Sequence, residues 1–379
     1  FDQGKVFEAV EFFEKATRGR AGMNPEHLAT LARVYLGVND LARARQAVVR
    51  LKAFAPRGWE AAREEARLLK RESAAAAAKG NPDAAAKLAD QARKRVLEFP
   101  GAAEDGFTRT KSGPLLEELG FYPEAQGLYT RLLEDKDGRL PHLPLAMFLI
   151  QRKRTDEALK LTDEYADKTP VELTARLKTS AIRSRSPGPA AEQKVSEWLD
   201  AKAKLSTHPL EQLVLLGCKA ELLDAQRRYD QAIETYETVI ARAKGLSPAD
   251  LKRYSGNNNK NNLAMLLALH RPAQADRAVE MMSEVIAVHG PAPAYLDTRA
   301  VAYLVKGGRT AEAVEDLKLA LIQQHRPAYL FHLGWAYDLD PVNRTRREPP
   351  LAEAKQMGIT ADDLHPLEAR KFAELYLPR

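Results

Sequence analysis

Small and apolar residues recur along this chain at helical spacing. In Leu31-Ala32-Arg33-Val34-Tyr35-Leu36 an alanine is followed three residues later by an aromatic. A polar pair, Asn39-Asp40, then leads into Leu41-Ala42-Arg43-Ala44. Val48 and Leu51 lie four and seven residues beyond Ala44, and Pro56 lies twelve beyond it. Apolar positions at i, i+3, i+4 and i+7 predict an amphipathic helix. Two such runs separated by a short polar turn predict a helical hairpin.

The pattern repeats. Gly113, Leu116, Gly120, Ala125, Tyr129 and Leu132 reproduce the offsets, as do Ala146, Leu149, Ala158, Thr162, Tyr165 and Pro170. Further copies are carried by Ala220, Leu223, Tyr229, Ala232, Tyr236 and Val239, and by Leu263, Ala264, Leu267, Ala278, Met282 and Val285. Another lies at Ala300, Tyr303, Ala313, Leu317 and Ala320, and Leu333-Gly334 and Tyr337 open one more. The small residue of each expected second helix falls at Ala9, Ala44, Ala85, Ala125, Ala158, Ala191, Ala232, Ala278, Ala313 and Ala354, at spacings from 33 to 46.

This pattern resembles that of the tetratricopeptide repeat (TPR) family, whose small, aromatic and proline positions recur about every 34 residues. The resemblance implies an all-α fold, an α-solenoid wound as a right-handed superhelix of stacked TPR-like helical hairpins. It covers residues 1–379 as a single solenoid of about nine to ten hairpins. One hairpin cannot bury its apolar face alone, so neighbours must stack. The resemblance further implies that first helices line a concave groove, where a protein or peptide ligand is held.

Some segments depart from the pattern. Residues 59–99 read as an atypical repeat, with one long helix from Trp59 to Lys79 that is Ala-rich at Ala74–Ala78. Gly80-Asn81-Pro82 should turn it, with Asn81 as N-cap and Pro82 at the first helical position. Phe1–Lys15 reads as a second helix without its first, so the chain is expected to begin inside a repeat of a longer protein. Residues 359–379 are expected to form a C-terminal capping helix from about Leu367 to Leu377, with Thr360 as its cap and Arg370, Lys371 and Glu374 on its face.

Composition agrees with helices and narrows the function. Ala, Leu, Glu, Lys, Arg and Gln, the strong helix formers, dominate. The chain is 45% hydrophobic and 29% charged, with a formal net charge of +6. The 58 basic and 52 acidic residues are interspersed. A nucleic-acid binder usually gathers its basic charge on one face. A single cysteine, Cys218, allows neither an internal disulfide nor a cysteine zinc site. It also leans toward a reducing compartment, the cytoplasm, with no targeting signal visible. The longest apolar run, Leu143–Ile150, is interrupted by Pro144 and far too short to span a membrane. No phosphate loop, nucleophile elbow or H-E-x-x-H sequence occurs. None of the eight histidines has another at i+3 or i+4. No enzyme activity, cofactor or metal is expected.

The candidate binding residues follow from the groove expectation. Asn257-Asn258-Asn259-Lys260-Asn261-Asn262 opens one expected first helix. Counting from Ala264 places Asn258, Asn261 and Met265 toward the groove, flanked by Asn262. Asparagine amides offer two donors and an acceptor, and so can grip a ligand backbone. Asn runs also favour turns, so Ser255–Asn259 reads equally as the loop before the helix. The next two repeats contribute Asp297, then Phe331, His332 and Trp335. The Phe331 and Trp335 rings suit an anchor for an apolar side chain, or packing on the closing helices. Arg344–Arg347 reads as a solvated basic turn. Cys218 falls on a first helix and reads as a buried, inert thiol.

The leading functional expectation is a protein- or peptide-binding scaffold or adaptor. An alternative is homo-oligomeric self-assembly through an open N-terminal repeat exposing Phe7, Phe12 and Phe13. RNA-binding helical repeats need a near-constant period, against which the spacings argue.

Overall fold

The computed structural model describes residue 14 and residues 24–134, 140–185, 187–254 and 256–376, with the side chains of 105 and 251–253 outside that description. Ala9, Phe7, Phe12, Phe13, Ser255 and Leu377, which the sequence reading singled out, lie outside the described residues. Among the described residues every regular element is a helix. The chain packs as two compact units, Phe1–Leu149 and Ile150–Arg379.

The first unit contains α1 (Pro25–Gly37), α2 (Leu41–Phe54), α3 (Trp59–Ala78), α4 (Pro82–Leu97), α5 (Gly113–Glu118) and α6 (Tyr122–Arg131). The side chain of Asn24 caps α1 by accepting from the Glu26 amide, and Asp40 caps α2 by accepting from the Arg43 amide. Each cap satisfies an amide that the helix itself leaves without a partner. Leu31, Ala32 and Tyr35 of α1 pack with Ala44 and Val48 of α2 and Leu68 of α3, so the hairpin closes on the following one. Asn81 caps α4 through the Ala84 amide after Gly80 turns the chain at φ 74°. The Trp59 ring meets Phe99 and Phe107 edge-on, at centroid distances of 5.1 and 4.8 Å, and ties the start of α3 to the turn beyond α4.

A short π-helical stretch, Thr108–Ser112, feeds α5 and brings Gly113 against α6. A Cβ at Gly113 would lie 2.4 Å from the Tyr129 ring and 2.7 Å from the Thr108 carbonyl oxygen. The close approach leaves room for glycine only.

α7 (Leu143–Gln151) carries the division between the units, and α8 (Thr155–Glu164) follows it. The second unit continues with first helices α9 (Val171–Ser184), α11 (Pro209–Ala225), α14 (Asn257–His270), α16 (Pro293–Lys306) and α18 (Pro327–Leu339). Their second helices are α10 (Pro189–Leu205), α12 (Tyr229–Ala243), α15 (Ala275–His289), α17 (Thr310–Gln323) and α19 (Glu348–Gln356). A short α13 (Pro248–Arg253) precedes α14, and α20 (Ala369–Tyr376) ends the described chain. Fully buried alanines at Ala264, Ala278, Ala300, Ala313 and Ala336 let neighbouring backbones approach, and Leu267, Met282, Leu317 and Phe331 fill the space between them. Close packing of this kind, rather than any disulfide, holds the repeats together.

In α2, α4, α6, α8, α12, α15 and α17 the fourth residue is the repeat's small residue, Ala44, Ala85, Ala125, Ala158, Ala232, Ala278 and Ala313, and in α19 it is the seventh, Ala354. All are buried. α10 departs from the register. Ala191 is only half-buried there, and Val195, Ser196 and Leu199 turn inward instead.

The expected last helix is corrected. Thr360 and Asp363 cap a single turn at Ala361–Asp363 rather than α20. The backbone is then extended at Leu364 and His365, and a second short turn, Pro366–Glu368, leads into α20. Pro366 is the cause, since a proline pushes the residue before it out of the helical region.

Candidate functional site

A cavity of about 1060 Å³ opens in the second unit. That is the upper end of the range of roughly 300–1,000 Å³ found for ligand sites. Its walls are the first helices: Ile182 and Arg183 from α9, Asp224 from α11, Asn261, Asn262 and Met265 from α14, Asp297 from α16 and His332 from α18. Residues of the C-terminal segment, Ala361–Pro366 and Glu368, complete the lining. α14 explains why polar groups reach the cavity. Its Leu263, Ala264, Leu266 and Leu267 are buried against neighbouring helices, which leaves the opposite stripe partly exposed.

The asparagine run is helical from Asn257, and the loop reading of Asn257–Asn259 is set aside. Its members do different things. Asn258 is exposed and lies outside the cavity lining. Asn259, which the sequence reading did not select, is buried and donates to the Tyr254 hydroxyl at 2.8 Å. It also packs on Gly217 of α11, where a Cβ would sit 3.0 Å from the Asn259 Oδ1. Asn262 lines the cavity and donates to the hydroxyl of buried Tyr236 at 3.2 Å. Asn261 lines the cavity with its Oδ1 unpaired among the described residues. Met265 lies one turn further along the same helix, also in the lining.

Phe331 and Trp335 lie elsewhere. Phe331 is fully buried and packs on Phe372 and Tyr376 of α20, at centroid distances of 5.8 and 6.2 Å. Trp335 is nearly buried, with Lys371 of α20 over its ring at 5.9 Å. Of the two readings offered for these rings, packing on the closing helix is the one observed. The basic stretch Arg344–Arg347 is a 3-10 turn that faces Asp338, whose carboxylate meets Arg347 at 2.7 Å and Lys371 at 3.1 Å. Burial alone would raise the Asp338 pKa, but these cations outweigh it and hold the carboxyl below its usual range.

His332 has the most unusual surroundings in the unit. It is buried, and its Nδ1 lies 2.6 Å from Asp297 Oδ1 while its Nε2 lies 2.7 Å from Glu368 Oε1. Both carboxylates are buried as well. Burial disfavours a charged ring, yet the carboxylate on each side outweighs that cost and raises the His332 pKa to about 10. As an imidazolium it donates from both nitrogens, one to each carboxylate. Burial also opposes the Glu368 charge, and His332 again prevails, holding that carboxyl below its usual range. Nothing in the sequence near His332 announces this. Its partners lie 35 and 36 residues away, one repeat before and on the C-terminal segment.

The C-terminal segment therefore lies within the cavity formed by the first helices. His365 Nε2 is 3.0 Å from Asp224 Oδ1, across 141 residues of chain. The other ring nitrogen, Nδ1, accepts from the Leu367 amide, and the His365 amide donates to Glu368 Oε2 at 2.9 Å. Glu368 thus caps its own turn with one oxygen and holds His332 with the other.

Cys218 is buried among Leu215, Leu222 and Val239. Burial pushes its thiol up to about 12. We expect no reaction with a thiol-specific disulfide reagent in the folded chain at neutral pH, and full reaction in denaturant, as read by absorbance. Rapid labelling of the native chain would contradict the observed packing. Among the described residues no group of three or more His, Cys, Asp or Glu could hold a metal ion, and no helix is long and apolar enough to cross a membrane.

No protein-family model and no curated protein matches the chain. Among solved structures it is similar to the APC/C hetero-tetramer Cut9–Hcn1, at 14% identity over 94% of this chain and 84% of that one, with a TM-score of 0.43. It is also similar to yeast Tom70, at 13% identity over 98% and 92% of the two chains, with a TM-score of 0.34. A third is Naa15/Naa10 bound to HypK-THB, at 12% identity over 98% of this chain and 66% of that one, with a TM-score of 0.31. Within each unit the packing itself repeats what the sequence pattern specifies, an alanine at the fourth position of one second helix after another and stacked first helices beside them. Each unit is built of stacked antiparallel helical hairpins, the arrangement that the sequence pattern implies.

Proposed function

We propose that this chain is a protein-binding scaffold that holds an extended peptide segment in the cavity of its second unit. The observation that carries the reading is the cavity wall itself. Five successive first helices contribute side chains to it, and a stretch of extended backbone, Leu364-His365, already lies against them. An extended peptide exposes amides and carbonyls that need partners when water is excluded. The buried Asn261 Oδ1, unpaired among the described residues, would accept from such an amide, and Met265 would offer an adaptable apolar contact beside it. The candidate set becomes Asn261, Asn262, Met265, Asp297 and His332. Asn258, Phe331 and Trp335 act outside the cavity in this reading, which gives the chain no catalytic role.

The test compares proteins retained from a cell extract by the immobilised chain and by two variants. Asn261→Ala with Met265→Glu alters the cavity, whereas Val288→Glu alters a side chain that is 74% exposed elsewhere. We expect specific partners to be lost with the first variant and kept with the second. Identical partner sets for all three proteins would remove the cavity from the function.

A further inference from the structure

Two features of the C-terminal segment set it apart from a structural filler. The first is how it is tethered. Before it, α19 packs through Leu351 and Ala354 into the unit's core. After it, α20 is held by Phe331, by Lys371 on Asp338, and by the Tyr376 hydroxyl donating to the Leu351 carbonyl. Both ends are fixed without help from the cavity. Between them, Gly358 turns at φ 82°, and the two short turns cap themselves through Thr360 with Asp363 and His365 with Glu368. The segment can leave the cavity as a loop without either end undocking and without losing its own internal hydrogen bonds, at the cost of uncovering Leu364, which is buried in the unit's core.

The second feature is charge. The segment brings Asp362, Asp363 and Glu368 to the cavity, and the surrounding wall carries the cationic side chains Lys153, Arg183, Arg185 and Arg227 and the His332 ring, against the two acidic groups Asp224 and Asp297. All four of these basic residues are exposed, and Arg183 is paired with Glu221 at 3.2 Å. The deepest contact is Glu368 on His332. If Glu368 departed with nothing in its place, a buried cation would keep only one of its two carboxylates. A replacement that brings its own carboxylate restores the pair, and an apolar replacement does not.

We propose that residues 360–368 are a built-in occupant of the cavity, and that the external partner presents an acidic extended segment which takes their place, seating a carboxylate on His332. The inference rests on the peptide-binding reading above and names its ligand class. The partner's affinity is reduced by the fraction of time the chain's own segment is seated, so loosening that segment tightens the partner.

The probe is a fluorescently labelled synthetic peptide spanning Ile359–Ala369, titrated into the full chain and read by anisotropy. The variant His365→Ala with Glu368→Gln removes the segment's polar side-chain contacts with Asp224 and His332, leaves Asp224, Asp297 and His332 in place, and keeps Leu364 as the remaining apolar contact. We expect the peptide to bind this variant roughly ten-fold or more tightly than the unaltered chain. A peptide whose Glu368 equivalent is Gln should bind both proteins more weakly. Equal affinity for both proteins, or indifference to the Glu-to-Gln change, would overturn the proposal. A second measurement uses the unaltered chain alone. Amide hydrogen exchange should be faster across 360–368 than across α18 and α20, and exchange at the same rate as both helices would show that the segment does not open. Loss of partners with the Asn261 and Met265 variant, together with failure of the peptide test, would keep the scaffold function and discard self-occupancy. The reverse pair of results would keep the self-ligand and discard those two residues as its receptor.

Discussion

Replacing His332 with Ala is expected to destabilise the second unit by about 3–5 kcal/mol, the usual cost of stripping one member from a buried ion pair. The ring is held between Asp297 and Glu368, and all three groups are buried. Removing it leaves two carboxylates facing a cavity with no cation between them. Urea denaturation followed by circular dichroism measures the loss. Trp335 fluorescence offers a local reading, because its ring lies 6.3 Å from that of His332. A loss below about 1 kcal/mol would mean that the three groups are not coupled as described. Replacing all three with Leu should recover most of the lost stability, since apolar groups of similar size often substitute for a buried ionic cluster at little cost.

The same cluster gives stability a pH dependence of defined sign. His332 is raised from its usual 6.5 to about 10 in the folded chain. Its contribution is complete below pH 6.5, where the unfolded ring is also protonated, and is lost as pH rises through about 10. Glu368 is shifted the other way, below its usual 4.5, so its contribution is present above that value and is lost as pH falls. The groups facing the ring are Asp297 and Glu368, with His365 beside Glu368. The difference in stability between the native chain and the triple-Leu variant should therefore be greatest between those two usual values. It should decline toward alkaline pH. A flat difference from pH 6 to 10 would sink the assignment of a charged His332.

The hairpins were legible in the sequence because each is local. Ala44, Val48 and Leu51 lie on one helix, and their spacing reports the face that is buried whatever follows. Gly80-Asn81-Pro82 gave the turn and the cap for the same reason. What the cavity holds was not legible. Counting from Ala264 put Asn258, Asn261 and Met265 toward the groove with Asn262 flanking, and Asp297 and His332 on the next two repeats, yet Asn258 lies outside the cavity lining and none of the partners could be read. His365 meets Asp224 across 141 residues, and Glu368 meets a histidine on another helix. No periodicity reports a contact that arises when a tail folds back over stacked helices. Counting also failed to separate Asn259 from its neighbours. Whether an asparagine packs on Gly217 or faces solvent depends on the helix alongside.

Gly334 offers the sharpest test of how tightly the last hairpin is packed. A Cβ there would lie 2.4 Å from Leu351 Cδ2 and 2.5 Å from its Cγ. Leu351 cannot easily yield, being buried at 4% exposure with Ala354 and Phe331 in the same cluster. In an open helix, replacing Gly with Ala favours folding by about 0.5–1 kcal/mol. Here the clash opposes that gain, and Val makes the clash larger while gaining less helix propensity. Gly334→Val should cost about 1–3 kcal/mol, as overpacked cores do. Gly127 supplies the contrast: it lies inside α6, is exposed, and has nothing within 4 Å of its added Cβ. Gly127→Ala should therefore stabilise. Leu351→Ala alone should cost about 2–5 kcal/mol by leaving a hole. Combined with Gly334→Val, the new side chain fills part of that hole, so the double variant should lose less than the sum, with a coupling of at least about 0.5 kcal/mol. Strict additivity in denaturant melts would mean that α18 and α19 do not meet at this pair, and the close crossing that defines the hairpin would have to be relocated.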